Sequence, residues 1–299
     1  MRWRLRIEDA PIKIILLLSA SSSIIALILM MIFVLEEGLP AFWEVGIGEL
    51  LTGTRWAPYY GKYGALPLMI GSVLIVATTL MISVPLGISV SIYISEWAPG
   101  WLKDPLKSMI EMLAAIPSIV YGFVGLMFIA PAIAEFFGLS SGQVVLTSAI
   151  VLTMMVLPTI VDISTEVMFL VPKEWKEAAF ALGAGKWQVI KDVVLPTSKS
   201  GIVAAVILAF GRAIGETIAV LLTCGCVGAM PEGNVFLQPV YAITAAIVVY
   251  MGEAEYGGTL YHVLYALAAI LFMITFVMNL LADLILRKML GGVRSEARI

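Results

Sequence analysis

The sequence predicts an all-α integral membrane protein built from six transmembrane helices. Three observations lead to that class. Of the 299 residues, 61% are hydrophobic and only 13% are charged, whereas soluble domains carry about 45–50% apolar and about 25% charged residues; the mean hydropathy is +1.02. The apolar residues gather in six runs, each with the roughly 20 residues that a helix needs to cross hydrocarbon. The cations are segregated along the chain. Together these exclude a soluble enzyme, a disulfide-stapled secreted scaffold and a disordered chain. Length alone would suit two soluble domains, but six spans and their connections use it as one.

Charged residues serve as fences for the spans. The first is expected at Ile14–Leu35, between Lys13 and Glu36, and the second at Tyr63–Ser95, between Lys62 and Glu96. The third is expected at Met112–Ala134, and the fourth at Phe136–Val161, which stops before Asp162. The fifth, Ser200–Pro231, is interrupted only by Arg212 and Glu216, and the sixth is Tyr256–Ala282. Pro85, Pro117 and Pro158 fall inside spans, where each removes a backbone donor and can kink its helix. The opening Met-Arg-Trp-Arg-Leu-Arg resembles the start of a signal peptide, but the apolar run behind it is longer than a signal core, so an uncleaved first span is expected.

Six spans put both termini on one side. Fifteen of the 18 Lys and Arg fall before span one, between spans two and three, between four and five, and after six. Arg55 and Lys62 alone fall on the other side, with Arg212 inside a span. The positive-inside rule therefore makes both termini cytoplasmic. The organisation expected is a cytoplasmic segment 1–13, a first span 14–35, an external loop 36–65, a main transmembrane domain 66–287 and a cytoplasmic tail 288–299. The external stretches Glu36–Lys62, with Trp43, Trp56, Tyr59 and Tyr60, and Val227–Glu255 are long enough to dock a partner, although aromatic residues also belt the membrane interface.

The cytoplasmic stretch between spans four and five has a pattern of its own. Pro172 sits where a helix starts. Trp175, Ala178, Ala179 and Leu182 recur at helical spacing, and Gly183 and Gly185 stop that helix. Trp187, Ile190 and Val194 begin a second short helix, which Pro196 is expected to end. Such a polar, amphipathic helix–turn–helix suits a groove on another protein. Its residues Glu177, Ala178, Ala179, Gly183, Leu195 and Pro196, with Val193, resemble the EAA loop of ABC importer permeases. The resemblance implies that 172–197 is a coupling loop seated in a cleft of a cytoplasmic ATPase.

Further motifs narrow the likeness. Gly64-Ala65-Leu66-Pro67, Val84-Pro85-Leu86-Gly87, Ala115-Ile116-Pro117-Ser118-Ile119-Val120-Tyr121-Gly122 and Gly211-Arg212-Ala213-Ile214-Gly215-Glu216-Thr217 resemble the phosphate permeases. The long external loop with Leu51-Thr52-Gly53-Thr54-Arg55-Trp56 is similar to that of the PstC-type family. That likeness implies a permease subunit of a phosphate ABC importer. Its partners would be a PstA-like permease, a homodimeric PstB-like ATPase that holds ATP and Mg, and an extracytoplasmic PstS-like binding protein. No cofactor and no nucleic acid is expected on this chain. Gly185-Lys186-Trp187 lacks the phosphate-cradling loop of an ATPase, so hydrolysis belongs elsewhere and the chain is not itself an enzyme.

Arg212 and Glu216 are the candidate substrate-pathway residues. Arg212 lies near mid-membrane by its place in the fifth span, where an Arg costs about 2.5–3.5 kcal/mol on insertion scales. Its planar donors match phosphate oxygens. Glu216, four residues on, is expected on the same helical face, able to pair with Arg212 and keep the anion site weak. A buried ion pair that locks helix register is the alternative. Gly211 and Gly215 flank the pair at a spacing that suits close helix packing. Asp162 and Glu166 are expected at the interface or against a cation. Cys224 and Cys226 are expected to be structural, and His262 packed or interfacial. The rival readings are a permease for another oxyanion, such as sulfate or molybdate, a gradient-driven secondary transporter, and a polytopic membrane enzyme whose only candidate cluster is Asp162 with Glu166.

Overall fold

The computed structural model describes residues 10–296. Arg2, Arg4, Arg6 and Arg298, four of the cations in the orientation argument, lie outside the described residues. Six helices among the described residues are long and apolar enough to span: Ile12–Thr52, Leu66–Trp97, Ser118–Phe137, Val145–Phe169, Lys186–Gly215 and Thr259–Leu280. Their number agrees with the sequence reading. Several of their limits do not.

The first span outruns the bilayer. Helix α1 (Ala10–Gly38) passes through a π turn at Phe42–Gly46 into α2 (Ile47–Thr52). The 29 residues of α1 alone rise about 44 Å at 1.5 Å per residue, more than the roughly 30 Å hydrocarbon thickness, and Gly46, with φ 89° and ψ 135°, turns the path before α2. The expected loop 36–65 is therefore helical as far as Thr52. Glu36 ends the apolar run without ending the helix. The break comes at Gly53, where a Cβ would lie 2.4 Å from Glu49 O and 2.8 Å from Gly64 Cα. A small hairpin follows, β1 (Trp56–Ala57) against β2 (Lys62–Tyr63). It is sewn to the distant loop after the fifth span by the Trp56 N–H donating to Gly228 O at 2.7 Å.

The second span is α3 (Leu66–Ile92), closed by a π turn at Tyr93–Trp97. Next, α4 (Gly100–Ala115) buries no residue and carries Lys103, Lys107 and Glu111. The expected third span at Met112 is corrected to Ser118. Ile116 and Pro117 are extended, with ψ of 129° and 142°, because the residue before a proline is pushed out of the helical region. Pro117 thus caps a span and does not kink one. The third span is α5 (Ser118–Val124), a π turn at Gly125–Ile129, and α6 (Ala130–Phe137). Gly138 ends it with φ 66°.

The fourth span is α7 (Val145–Phe169), not Phe136–Val161. A single carboxylate is a poor fence: Glu135 rides on the end of α6, and Asp162 and Glu166 ride on the last turns of α7. Beyond it lie α8 (Lys173–Ala181) and α9 (Lys186–Val189), then a π turn at Ile190–Val194 and α10 (Leu195–Gly215). Pro196 does not end the second short helix. It occupies the first turn of α10, where a missing N–H is tolerated, so the coupling stretch runs straight into the fifth span.

That span ends at Gly215, not Pro231. A one-and-a-half-turn helix, α11 (Ile218–Thr223), follows the break. The stretch expected as external loop then folds back inward. Val240 N–H donates to Cys224 O at 2.8 Å. Ile243 N–H donates to the Ser72 Oγ of α3 at 2.9 Å, where α12 (Ile243–Met251) begins. The sixth span starts α13 (Thr259–Glu296).

Helices α3, α7 and α10 form the centre, with Leu68, Ile75, Leu152, Met155 and Ile160 fully buried. Helix α1 packs mainly along α13 and leaves its other faces open, as lipid contact allows. The inward fold is fitted closely to α3: a Cβ on Gly71 would lie 2.4 Å from Tyr241 O, a backbone atom that cannot swing away. Gly71→Leu is therefore expected to cost about 1–3 kcal/mol by overpacking. It should show as an earlier thermal unfolding midpoint of the detergent-purified protein, while Gly211→Leu, which meets nothing within 4 Å, should leave the midpoint in place.

Candidate functional site: a helix break beside Arg212 and an exposed helical pair

Arg212 sits in the last turn of α10. A cation there is favoured, because the final carbonyls of the helix carry partial negative charge. Its Nη1 donates to Thr159 Oγ1 at 3.4 Å, a long and weak hydrogen bond. Thr159 lies fourteen residues after Val145 and ten before Phe169 in α7. That places the guanidinium against the middle of α7, although in its own helix Arg212 stands three residues before the fifth span ends at Gly215.

The expected Arg212–Glu216 pair does not form within the helix. α10 stops at Gly215, and Glu216 has φ −69° and ψ 132°, an extended conformation. The four-residue helical register that would bring the two side chains together is lost there. Among the described residues Arg212 makes no ion pair, and neither does Glu216. Glu216 instead lines a small cavity with Ser72, Ala213 and Thr244, and its backbone carbonyl accepts from Thr244 Oγ1 at 3.0 Å. Both ionisable side chains are half-buried. Arg212 therefore precedes the helix break and Glu216 follows it, neither in an ion pair among the described residues.

Among the described residues, Gly211 and Gly215 pack against no other helix of this chain. Both are exposed, and a Cβ on either would meet nothing within 4 Å. With Leu208 they form an open face beside Arg212.

Thr159, Thr244 and Ser72 were not singled out from the sequence. They come from three other elements, and hydroxyls are common in this chain's spans. Only the contact with α10 or its break marks them.

The coupling stretch forms the second candidate surface. α8 buries no residue. Glu177 and Ala178 are exposed and Ala179 is half-buried. Trp175 and Leu182 are 55% and 89% exposed, so the apolar face predicted from spacing points outward. Gly183, with φ 86°, ends α8: its N–H donates to Phe180 O at 2.9 Å, and Ala184 N–H donates to Ala179 O at 3.1 Å. This is a Schellman ending, which needs a left-handed residue at that point. Leu195 is half-buried and Pro196 exposed where the stretch joins α10.

Two side chains fasten the helical pair to the bundle. Lys176 and Glu96, the latter at the end of the second span, form an ion pair in which the side chains are 18% and 13% exposed. Lys186 Nζ lies 4.4 Å above the Trp97 ring, a cation–π contact. Val189, Ile190 and Val194 are buried beneath. Lys107 of α4 pairs with Glu166, as a cationic partner for that residue predicts. Asp162, by contrast, has a buried Oδ1 with no partner. His262 Nδ1 lies 2.8 Å from Glu44 Oε1, tying the sixth span to the extended first helix.

A family model described as "Binding-protein-dependent transport system inner membrane component" matches residues 83–291. The probable ABC transporter permease protein YqgH of Bacillus subtilis is 37% identical over 254 residues, covering 84% of this chain and 82% of that protein. The phosphate transport system permease protein PstC of Haemophilus influenzae is 35% identical over 261 residues, covering 81% of this chain and 82% of that protein. Among solved structures, a bacterial ABC transporter involved in import of the acidic polysaccharide alginate shares the fold, with a TM-score of 0.66 at 13% identity, covering 94% of this chain and 96% of that one. The matched stretch takes in the coupling helices and the broken fifth span, and this chain belongs to the binding-protein-dependent transport system inner membrane component family.

Proposed function

We propose that this chain is a permease subunit through which inorganic phosphate enters the cell, driven by ATP hydrolysed on a separate subunit. The observation that carries the reading is Arg212: a half-buried guanidinium against the middle of α7, beside a helix break, whose only hydrogen bond to another side chain among the described residues is the 3.4 Å contact with Thr159. A relative named as a phosphate permease supports the choice of anion. Both termini would be cytoplasmic, which puts α8 on the ATPase side and the β1–β2 hairpin on the side of a phosphate-binding protein. The other partners would be a second, PstA-like permease and a homodimeric PstB-like ATPase with its ATP and Mg.

The chemistry follows from charge and hydration. A phosphate anion leaving water needs donors at the apolar midpoint, and Arg212 supplies a planar pair that never deprotonates. Its weak tie to Thr159 leaves those donors available. Glu216, across the break, repels the anion and keeps the site shallow, so that phosphate is passed on and not trapped. The open face of Leu208, Gly211 and Gly215 lets the second permease approach beside Arg212. On the cytoplasmic side, Glu177, Ala178, Ala179 and Gly183 shape the helix that an ATPase cleft would grip. Leu195 and Pro196 carry its movement into α10, the helix that ends in Arg212.

ATP-dependent uptake of labelled phosphate into proteoliposomes holding the co-expressed complex and its binding protein tests this reading. Arg212→Ala should lower uptake about 10- to 100-fold, the loss of one charge-assisted interaction of about 1.5–3 kcal/mol. Arg212→Lys should recover part of it, because the charge stays while the fork is lost. Unchanged uptake in Arg212→Ala would remove the site. Uptake without ATP, or of sulfate in place of phosphate, would remove the class or the substrate.

The fastening of α8 makes a separate prediction. Lys176→Glu and Glu96→Lys should each reduce uptake, since each leaves a half-buried charge facing its like. The double reversal should restore uptake and the stimulation of ATP hydrolysis by loaded binding protein. Equal loss in all three variants would mean that the ion pair does not position the coupling helix.

A further inference from the structure

The segment after α11 reads Cys224-Gly225-Cys226. Both thiols are free, and their Sγ atoms are 3.7 Å apart, already in contact. Cysteines one residue apart bridge poorly on ordinary extended backbone, where their side chains point to opposite faces. Here Gly225 has φ 84° and Cys226 has φ 52°, two successive left-handed residues. Glycine adopts that conformation readily and a cysteine rarely does. The Gly225 site also has no room for a side chain, since a Cβ would lie 2.6 Å from both Gln143 O and Pro239 Cβ. The tight turn presents both thiols to each other.

We propose that Cys224-Gly225-Cys226 is a redox-active dithiol that closes reversibly into an intramolecular disulfide by exchange with a low-molecular-weight or protein disulfide. Cys224 is fully buried and Cys226 is half-buried, so a reagent meets Cys226 first. Its thiolate attacks one sulfur of the oxidant disulfide, and the first thiolate of the oxidant leaves. The Cys224 thiolate then attacks Cys226 Sγ, closing the protein disulfide and expelling the second. Two thiol protons are released, the protein gives up two electrons, and the oxidant becomes two thiols. The sulfurs must close from 3.7 Å to about 2 Å. The other contact of Cys226 is a thiol donation to Leu221 O at 3.6 Å, weak enough to yield as the side chain turns. So short a ring strains the bond, and strained disulfides are the readily reduced ones.

The position gives the pair a consequence. The Cys224 carbonyl accepts from Val240 N–H, and four residues on, Thr244 holds the Glu216 carbonyl. The turn that would change with oxidation is thus joined to the loop at the helix break. The orientation proposed above places it on the external side, where disulfides persist. The exchange chemistry itself does not depend on that orientation or on the transported solute.

The test uses the full-length chain in isolated membranes. Oxidised glutathione is added, remaining thiols are alkylated with N-ethylmaleimide, and the peptide holding both cysteines is weighed by mass spectrometry. The expected peptide carries no alkyl group, lacks the two thiol hydrogens, and becomes doubly alkylated after dithiothreitol. Cys224→Ser should instead hold a stable glutathione adduct on Cys226, since no second thiol resolves it. A doubly alkylated peptide at every oxidant ratio, or a glutathione adduct that persists on Cys226 in the unsubstituted chain, would overturn the proposal. Phosphate uptake is assayed apart from this, so a failure of the transport reading leaves the thiol result standing.

Discussion

Backbone hydrogen bonding in hydrocarbon is the constraint on which the rest of this structure depends. A bilayer core offers no water to an unpaired N–H or C=O, so a spanning segment must be helical or have its breaks covered by protein. The breaks here obey that rule. At Gly215–Glu216 the carbonyl of Glu216 is taken by Thr244 Oγ1. Where the chain folds inward before α12, the Ile243 N–H is taken by Ser72 Oγ, and Val240 N–H by Cys224 O. The inward fold thus serves the helix break, and α3 and the end of α11 serve the inward fold.

The same economy governs the hydroxyls. Ser72, Thr78, Thr79 and Ser91 of α3 each donate to the carbonyl four residues back, so they enter an apolar bundle without a separate partner. Ser91 also reaches Val161 O of α7 at 3.2 Å. Thr153 Oγ1 donates to Thr79 O across the same seam. Polar contacts thus run along the α3–α7 interface, where the bundle is most closely packed. Ser83 of α3 and Ser164 and Thr165 of α7 depart from this self-sufficiency, their buried hydroxyls having no partner among the described residues, and Arg212 leaves most of its donor capacity unused. An unsatisfied cation is tolerated within a span when a cavity or a second subunit faces it.

The exposed helix α8 joins, through the turn at Gly183, the helix that ends at the break. From Lys186 to Gly215 the chain is a single helix with one π turn. Val194 and Ile202 pack with Met168 and Val171 at the foot of α7, Val189 and Ile190 are buried nearby, and Lys176 clips α8 to Glu96. The helix that follows α8 is thus the one whose last turn holds Arg212. The extended first helix serves a different purpose: His262 and Glu44 brace it against the sixth span beyond the apolar belt.

Composition and periodicity were enough for the class, the number of spans and the outward apolar face of α8, because all three follow from local residue spacing and the cost of charge in hydrocarbon. The left-handed stop at Gly183 was equally legible, since a glycine after an amphipathic run has few other uses. Span limits were less so. Charge fences fail where a carboxylate sits on a helix end, as Glu135, Asp162 and Glu166 do, and where a helix continues into water, as α1 does past Glu36. That Arg212 belongs to the fifth span was readable, but its partner was not. A register argument assumes that the helix goes on, and only the tertiary fold, by bringing Thr244 Oγ1 in to donate to the Glu216 carbonyl, made it favourable for the helix to stop at Gly215 and set Arg212 and Glu216 on opposite sides of the break.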